Sequence, residues 1–293
     1  MLGTGIAGLA ILAGFVLWER ASTHPMLNLR FFRNPNFSAP IAPVSLTMFG
    51  LFGALFVLTQ FLQFQLGYTP LQAGLRMLPA AGAIALVAPA SSALVRGFGT
   101  KVTIAAGMLV AGAGLWQIST ATTATTYAGI VAGMALLGAG AGLVIPTATA
   151  SVMGSVPAEH TGVGGGTAGT FLQTGGALGV AVVGSLLSGR YDDHVTSGLA
   201  SAHLPHAVAQ AVQASLGAAL GVAHQLGGAI GALIADAARS AFISGMNLGL
   251  LTTAIVVIAG AAIALATIPG KAPATRRRHH TATTSGLPRI HFP

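Results

Sequence analysis

Long apolar runs that are almost free of charged side chains recur along the chain and are separated by short polar connections. A helix that crosses a bilayer needs about 20 apolar residues, and these runs do not show the short alternating pattern of membrane β-strands. Transmembrane helices are predicted over residues 2–18, 40–66, 72–95, 102–119, 127–150, 163–188 and 243–268. The pattern therefore predicts an all-α integral membrane helix bundle with about seven transmembrane helices.

Composition excludes the main alternatives to a membrane bundle. The 293 residues are 53% hydrophobic and only 6% charged, whereas about 25% of the residues in soluble domains are charged. So few charges cannot cover the surface of a soluble enzyme, and so much apolar sequence argues against disorder. Cys is absent, and the phosphate-binding, zinc-protease and serine-hydrolase motifs are missing. We expect no enzyme activity, no cofactor and no metal site.

Basic residues concentrate on alternate connections. Ten of the thirteen Lys and Arg lie in 19–39, 96–101 and the carboxyl-terminal tail, and the connections 67–71 and 120–126 have no charge. Lys and Arg favour the cytoplasmic side of a membrane, so the tail is predicted to be cytoplasmic and Met1 outside. This distribution suits a multi-pass protein of the plasma membrane, and it forms no basic face for a nucleic acid.

The spans divide the chain into four parts. Residues 1–18 are interpreted as a transmembrane helix truncated at its beginning, because no polar flank precedes Leu2. A cytoplasmic link, a six-helix bundle and a disordered basic tail that is attracted to anionic lipid are predicted over 19–39, 40–268 and 269–293. The longest connection, 190–242, is interpreted as an extracytoplasmic loop or helix, with a hidden eighth span as the alternative.

Glycines four residues apart recur inside the spans. The pairs are Gly129 and Gly133, Gly138 and Gly142, Gly162 and Gly166, and Gly175 and Gly179. Small residues one turn apart let two helix backbones approach closely. The spacing predicts tight packing, and it also suits faces that slide during transport.

Aromatic and amide side chains share a helical spacing in the second predicted span. Phe52, Phe56, Gln60 and Gln63 recur every three or four residues and so lie on one face. Apolar walls with a few polar groups are typical of cavities that bind small organic molecules. The predicted substrate cavity consists of Phe52, Phe56, Gln60, Gln63, Phe171 and Gln173. In the alternative interpretation the Phe rings face lipid and the amides lie at the interface.

Two more polar side chains lie inside the apolar runs. Asn247 in the last span is a weaker candidate for the cavity wall. Arg76, near the start of the third span, either extends to the outer headgroups or orders the external end of a cavity.

A proton-coupling group is not evident in this chain. Proton-driven transporters usually carry a carboxylate or His within the membrane. Glu19, Glu159, Asp192, Asp193 and Asp236 all lie in connections or near helix ends, and no His lies in a predicted span. We therefore expect that this chain alone does not couple transport to protons.

Several short motifs lie within the spans and in the connections between them. They are Phe61–Gln63 with Leu66–Pro79, Trp18–Arg20 with His24–Leu27 and Leu29–Phe32, Val156–Gly162 with Gln173 and Gly175–Gly179, and Ala241–Gly245. In these motifs the chain resembles the fourteen-helix drug:proton antiporters of the major facilitator superfamily. The resemblance extends from Leu2 to about residue 268 and implies the carboxyl-terminal half: the eighth helix and the second six-helix bundle.

The resemblance also implies a function and a gate. A multidrug efflux antiporter uses the proton gradient to export small hydrophobic or cationic substrates, which bind between two six-helix halves in the lipid bilayer. The degenerate copy of the family's loop signature falls on 92–101, where Val95 replaces an Asp and the cytoplasmic gate loop retains Arg96, Gly99 and Lys101. An amino-terminal half chain or a homodimer would complete the transporter. The alternatives are a non-transporting membrane interaction or regulatory protein, and a truncated-gene remnant.

Overall fold

The computed structural model describes residues 34–157, 161–199 and 205–269, together with the isolated positions 8, 10, 14 and 18. The predicted first transmembrane helix at 1–18, the link up to residue 33 and the tail beyond residue 269 therefore lie essentially outside the described residues. Every regular element in the described ranges is helical.

Nine α-helices and one π turn make up the described chain. They are α1 (Pro35–Ser38), α2 (Ile41–Gln60), the π turn (Phe61–Gln65), α3 (Pro70–Arg76), α4 (Leu78–Ser119), α5 (Tyr127–Gly154), α6 (Thr161–Gly198), α7 (His206–Ala214), α8 (Leu216–Leu226) and α9 (Gly228–Thr267). Five helical stretches are long and apolar enough to cross a membrane, namely Ile41–Gln65, Pro70–Ser119, Tyr127–Gly154, Gly164–Gly198 and Gly228–Thr267. The predicted all-α membrane bundle is confirmed.

Helix α4 contains two of the predicted spans, because its chain direction reverses at one glycine. Gly99 has φ 84° and ψ 163°, a conformation that is open essentially to glycine alone. We call residues 78–98 the first arm and residues 100–119 the second arm of α4. The sequence separated these arms as two spans, at 72–95 and 102–119.

Helix α5 packs between the two arms, and its contacts give their directions. Four of its glycines lie against the backbone of α4: Gly138 and Gly142 against Ala80 and Ile84, and Gly140 and Gly133 against Gly107 and Gly114. As the residue number increases along α5, the number of the contacted residue increases on the first arm and decreases on the second arm. The first arm therefore runs parallel to α5 and the second arm runs antiparallel to it.

A second glycine seam joins α2 to α6. Gly175 lies against the carbonyl oxygen of Ser45, and Gly179 lies against that of Phe49. From the first contact to the second, the residue number increases by four on each helix, so α2 and α6 are parallel. Helix α9 packs against both α2 and α6 and runs antiparallel to α6, with Gly245 against Leu187 and Gly249 against Val183. We call the α2–α6 contact the parallel seam.

Helices α7 and α8 form a cap at one end of the bundle. They have 9 and 11 residues, or roughly 14 and 17 Å at 1.5 Å per residue. Each is too short to cross a hydrocarbon core of about 30 Å. Tyr191, which is 4% exposed, anchors the cap through its hydroxyl, which donates to the carbonyl of Val212 at 3.0 Å.

Candidate substrate-facing surface

The predicted aromatic and amide face of α2 is open. Phe52 and Phe56 are 40% and 36% exposed, and Gln60 and Gln63 are half-buried. The Phe rings lie over glycines of α6, since a Cβ added at Gly176 would be 3.1 Å from Cγ of Phe52. We call Phe52, Phe56, Gln60 and Gln63 the α2 strip. It is an apolar surface with amides at one end, beside the parallel seam.

The amide end of the strip departs from α-helical geometry. Helix α2 ends at Gln60 and continues as the π turn Phe61–Gln65, so Gln63 lies on a wider turn than the α spacing assumes. Single π turns inside helices are frequent at functional sites. Nothing in the sequence predicted this turn.

Phe171 and Gln173 lie away from the amide end of the strip. Phe171 packs against a separate small core of Phe37, Ile41, Val152, Val156 and Ala168, and its carbonyl accepts a hydrogen bond from the Ser45 hydroxyl at 3.1 Å. Gln173 is exposed. Gln60 is fifteen residues beyond Ser45 on α2, or roughly 22 Å along the axis. The six predicted cavity residues therefore extend along the bundle and do not converge in one pocket.

The predicted gate loop coincides with the reversal of α4. Gly99 supplies the positive φ, and its carbonyl accepts the Thr103 hydroxyl at 2.9 Å. Arg96 is exposed and Lys101 is half-buried on the two sides of the turn. The local geometry thus assigns Gly99 a conformational task, and it leaves the gating role of the two basic side chains a prediction.

At the opposite end of the bundle, Arg76 is held by aromatic rings. Its guanidinium carbon is 3.7 Å from the ring centroid of Tyr68 and 5.8 Å from that of Tyr127. The Tyr127 hydroxyl donates to the Arg76 carbonyl at 3.1 Å. This geometry favours an ordering role at the end of the bundle over extension to the headgroups.

Side-chain amides fix the connection 120–126 at the same end. Gln65 donates through Nε2 to the Thr123 carbonyl at 3.0 Å, and Asn247 donates through Nδ2 to the Ala121 carbonyl at 2.8 Å. Asn247, a weaker candidate for the cavity wall, therefore ties α9 to this connection. These bonds join three elements that are distant in sequence.

The described carboxylates lie near helix ends. Asp192 and Asp193 lie in the last two turns of α6, and Asp236 is exposed in the third turn of α9. Among the residues that the structure describes, no carboxylate lies halfway along a stretch that is long and apolar enough to cross a membrane.

Long apolar helices joined by short connections, with glycines at the helix contacts, define a multi-pass helical membrane protein. The sequence profile described as Major Facilitator Superfamily matches residues 1–180. The chain belongs to the major facilitator superfamily.

Curated relatives agree with this membership. The chain is 33% identical over 271 residues to the tetracenomycin C resistance and export protein of Streptomyces glaucescens, an alignment that covers 91% of this chain and 50% of the relative. It is 29% identical to the multidrug efflux pump LfrA of Mycolicibacterium smegmatis, covering 85% of this chain and 49% of the relative. It is 33% identical to the multidrug resistance protein Stp of Mycobacterium tuberculosis, in an alignment that covers 64% of this chain and 34% of the relative. The chain spans about half the length, or less, of these relatives.

Proposed function

We propose that the chain supplies the carboxyl-terminal six-helix bundle of a plasma-membrane exporter of small hydrophobic or cationic compounds. The observation that carries this proposal is the alignment to the Streptomyces export protein, which covers 91% of this chain but 50% of the relative; that this is the carboxyl-terminal half rests on the family motifs in the sequence. The names of the other relatives, a multidrug efflux pump and a multidrug resistance protein, support the same cargo class.

The α2 strip is the substrate wall that this bundle contributes. Aromatic faces attract cations and bind apolar molecules, and the exposed rings of Phe52 and Phe56 present both properties. The amides of Gln60 and Gln63 add hydrogen-bonding groups at one end. In transporters of this class, two bundles rock around a site that lies between them, and the strip faces such a second bundle.

The proton gradient drives the proposed export through groups that lie outside the described residues. Intramembrane carboxylates are the usual carriers of such coupling, and the described acids lie near helix ends. A second chain, the amino-terminal half, contributes the coupling group in our proposal.

Dye efflux from membrane vesicles tests the proposal. Vesicles carry either the full chain alone or the full chain with the amino-terminal half of the Streptomyces export protein, and efflux of a cationic fluorescent dye is followed with and without an imposed pH gradient. We expect gradient-dependent efflux only when both chains are present. Phe56→Ala is expected to reduce this efflux, whereas Phe64→Ala is the matched control, because Phe64 lies against Gly217 of the cap.

Each other outcome contradicts a definite part of the proposal. Gradient-dependent efflux by the chain alone would show that a second copy suffices. Absence of efflux in every combination, with both chains inserted and folded, would refute the exporter and favour a non-transporting membrane interaction protein.

A further inference from the structure

A polar cleft lies between α9, the π turn and the connection 120–126, at the end of the bundle that the basic residues predict to be outside. Its described lining consists of Gln65, Thr123, Ala124, Asp236, Arg239 and Ser240. Its volume of about 550 Å³ is typical of small-molecule sites. We call it the outer cleft. Its lining includes no residue of the α2 strip, so it is a different place from the proposed substrate wall.

Two opposite charges in this wall are not paired with each other. Asp236 and Arg239 are three residues apart on α9, a spacing at which such side chains commonly form an ion pair. In the described structure neither side chain forms a hydrogen bond or an ion pair. Nε of Arg239 is buried without a partner, whereas its terminal nitrogens are not buried. Both charges are therefore available to a ligand.

Neutral polar side chains accompany the two charges. Thr123 and Ser240 are exposed, and a hydroxyl can both donate and accept a hydrogen bond. Gln65 donates through Nε2 to the Thr123 carbonyl at 3.0 Å, which holds the connection against the π turn. The described wall thus combines one cation, one anion and hydroxyls, which is the complement of a zwitterion.

The outer cleft lies at the depth of lipid headgroups. The apolar run of the last span begins at residue 243, shortly after Ser240. Helix α4 ends at Ser119, just before the connection that lines the cleft. Trp116, in the last turn of α4, is 61% exposed, and Trp is enriched at membrane–water interfaces. The lining residues therefore begin where the hydrocarbon core ends.

An exposed apolar surface extends from the cleft into the bilayer. Leu251 and Ile258 are exposed and lie eleven and eighteen residues after Ser240, so all three share one face of α9. Ile258 packs against Gly112 of the second arm of α4, and the exposed Trp116 belongs to the same arm. A hydrocarbon chain can lie along this surface while its headgroup occupies the cleft.

We propose that the outer cleft binds the zwitterionic headgroup of a membrane phospholipid, and that it prefers a primary ammonium, as in phosphatidylethanolamine. The Arg239 guanidinium binds the phosphate through charge-assisted hydrogen bonds, and the Asp236 carboxylate accepts from the ammonium. A choline headgroup has the same charges but no N–H, and a glycerol headgroup has no cation. Binding at this site is independent of whether the chain transports, so its test is separate from the efflux test above.

Photolabelling of the full chain in lipid nanodiscs tests this site. Three probes carry the same diazirine-labelled acyl chain on phosphatidylethanolamine, phosphatidylcholine or phosphatidylglycerol, and peptide mass spectrometry locates the label. We expect saturable labelling of the outer halves of α9 and of the second arm of α4. The apparent dissociation constant should be about fivefold lower for phosphatidylethanolamine than for either comparison lipid, because only its ammonium donates to Asp236.

Two conservative substitutions separate the two charges. Neither Arg239 nor Asp236 has a bonding partner in the described structure, so the fold should be preserved. Arg239→Gln should raise the apparent dissociation constant for all three lipids about tenfold, because the phosphate loses a charged donor. Asp236→Asn should abolish the preference for phosphatidylethanolamine over phosphatidylglycerol. The matched controls are Arg190→Gln and Asp193→Asn on α6, because both residues are exposed and neither lines the cleft.

The free headgroup distinguishes a lipid from a soluble zwitterion. Glycerophosphoethanolamine at micromolar concentration should leave the labelling unchanged, because the apolar surface supplies part of the affinity for a lipid. Displacement of the probe at that concentration would overturn the assignment to a membrane lipid.

The labelling pattern can also overturn the proposal. Label spread evenly around the bundle, or equal labelling by the three lipids, would show that the cleft does not select a headgroup. A preference for phosphatidylethanolamine that Asp236→Asn leaves intact would refute the role of the carboxylate and with it the ligand class.

Discussion

The parallel seam makes a graded prediction about glycine substitutions on α6. A Cβ added at Gly179 would lie within 3.0 Å of the carbonyl oxygen, carbonyl carbon and Cα of Phe49. All three atoms belong to the backbone, so no side-chain rotation relieves the clash. In Gly179→Ala, α2 and α6 must therefore move apart.

The cost of that movement can be estimated. Overpacking a close contact typically costs about 1–3 kcal/mol, and alanine returns up to about 1 kcal/mol through its higher helix propensity. We expect Gly179→Ala to lower the free energy of unfolding by about 1–2 kcal/mol. Two glycines of the same helix serve as controls. Within the described part of the chain, Gly166 has no atom of another segment within 4 Å, and the nearest atom at Gly184 is Cε1 of Phe56 at 3.4 Å, an ordinary contact.

Unfolding by sodium dodecyl sulfate in mixed micelles, followed by circular dichroism, measures this series. The expected order of stability is Gly166→Ala highest, then Gly184→Ala near the parent chain, then Gly179→Ala lowest. Adding Phe49→Ala to Gly179→Ala should not restore stability, because the clash is with the backbone. A Gly179→Ala chain as stable as Gly166→Ala, or a rescue by Phe49→Ala, would refute a backbone contact at this seam.

Three further changes test other parts of the bundle by the same unfolding assay. Gly99→Ala forces alanine into the positive-φ conformation of the α4 reversal and should cost about 1–3 kcal/mol, whereas Gly97→Ala, in open space nearby, should be neutral or slightly stabilising. Tyr68→Leu removes the ring under Arg76 and should cost about 0.5–2 kcal/mol, a loss that should vanish when Arg76 is already replaced by Gln. Asn247→Leu deletes a donor to the connection 120–126 and should cost about 1–3 kcal/mol.

The spans were predictable because apolar runs report directly on bilayer crossing, but their ends were not. The sixth span was predicted to end at residue 188, and α6 continues to Gly198. Arg190 and Asp192 end the apolar run, yet the helix continues because Tyr191 packs under the cap. Charged residues in the sequence therefore indicate where an apolar run ends, whereas the end of the helix depends on tertiary packing.

Glycine spacing predicted close helix contacts but could not identify the partner helix. Gly138 and Gly175 lie against backbones of α4 and α2, whereas Gly162 and Gly166 meet no atom of another segment within 4 Å in the described part of the chain. A pair of glycines permits close approach, and only the fold decides whether a helix stands opposite.

The glycine contacts between α4 and α5 and those of the parallel seam limit how the bundle can move. Lipid tails are as apolar as leucine, so helix association in a membrane depends on close packing. Helix α5 has α4 backbone against both of its sides, and α6 makes close glycine contacts with both α2 and α9. Sliding any of these helices by less than a turn would drive side chains into backbone. In the proposed exporter the bundle therefore moves as one body against its partner, and the surfaces that change their neighbours are those left open, the α2 strip above all.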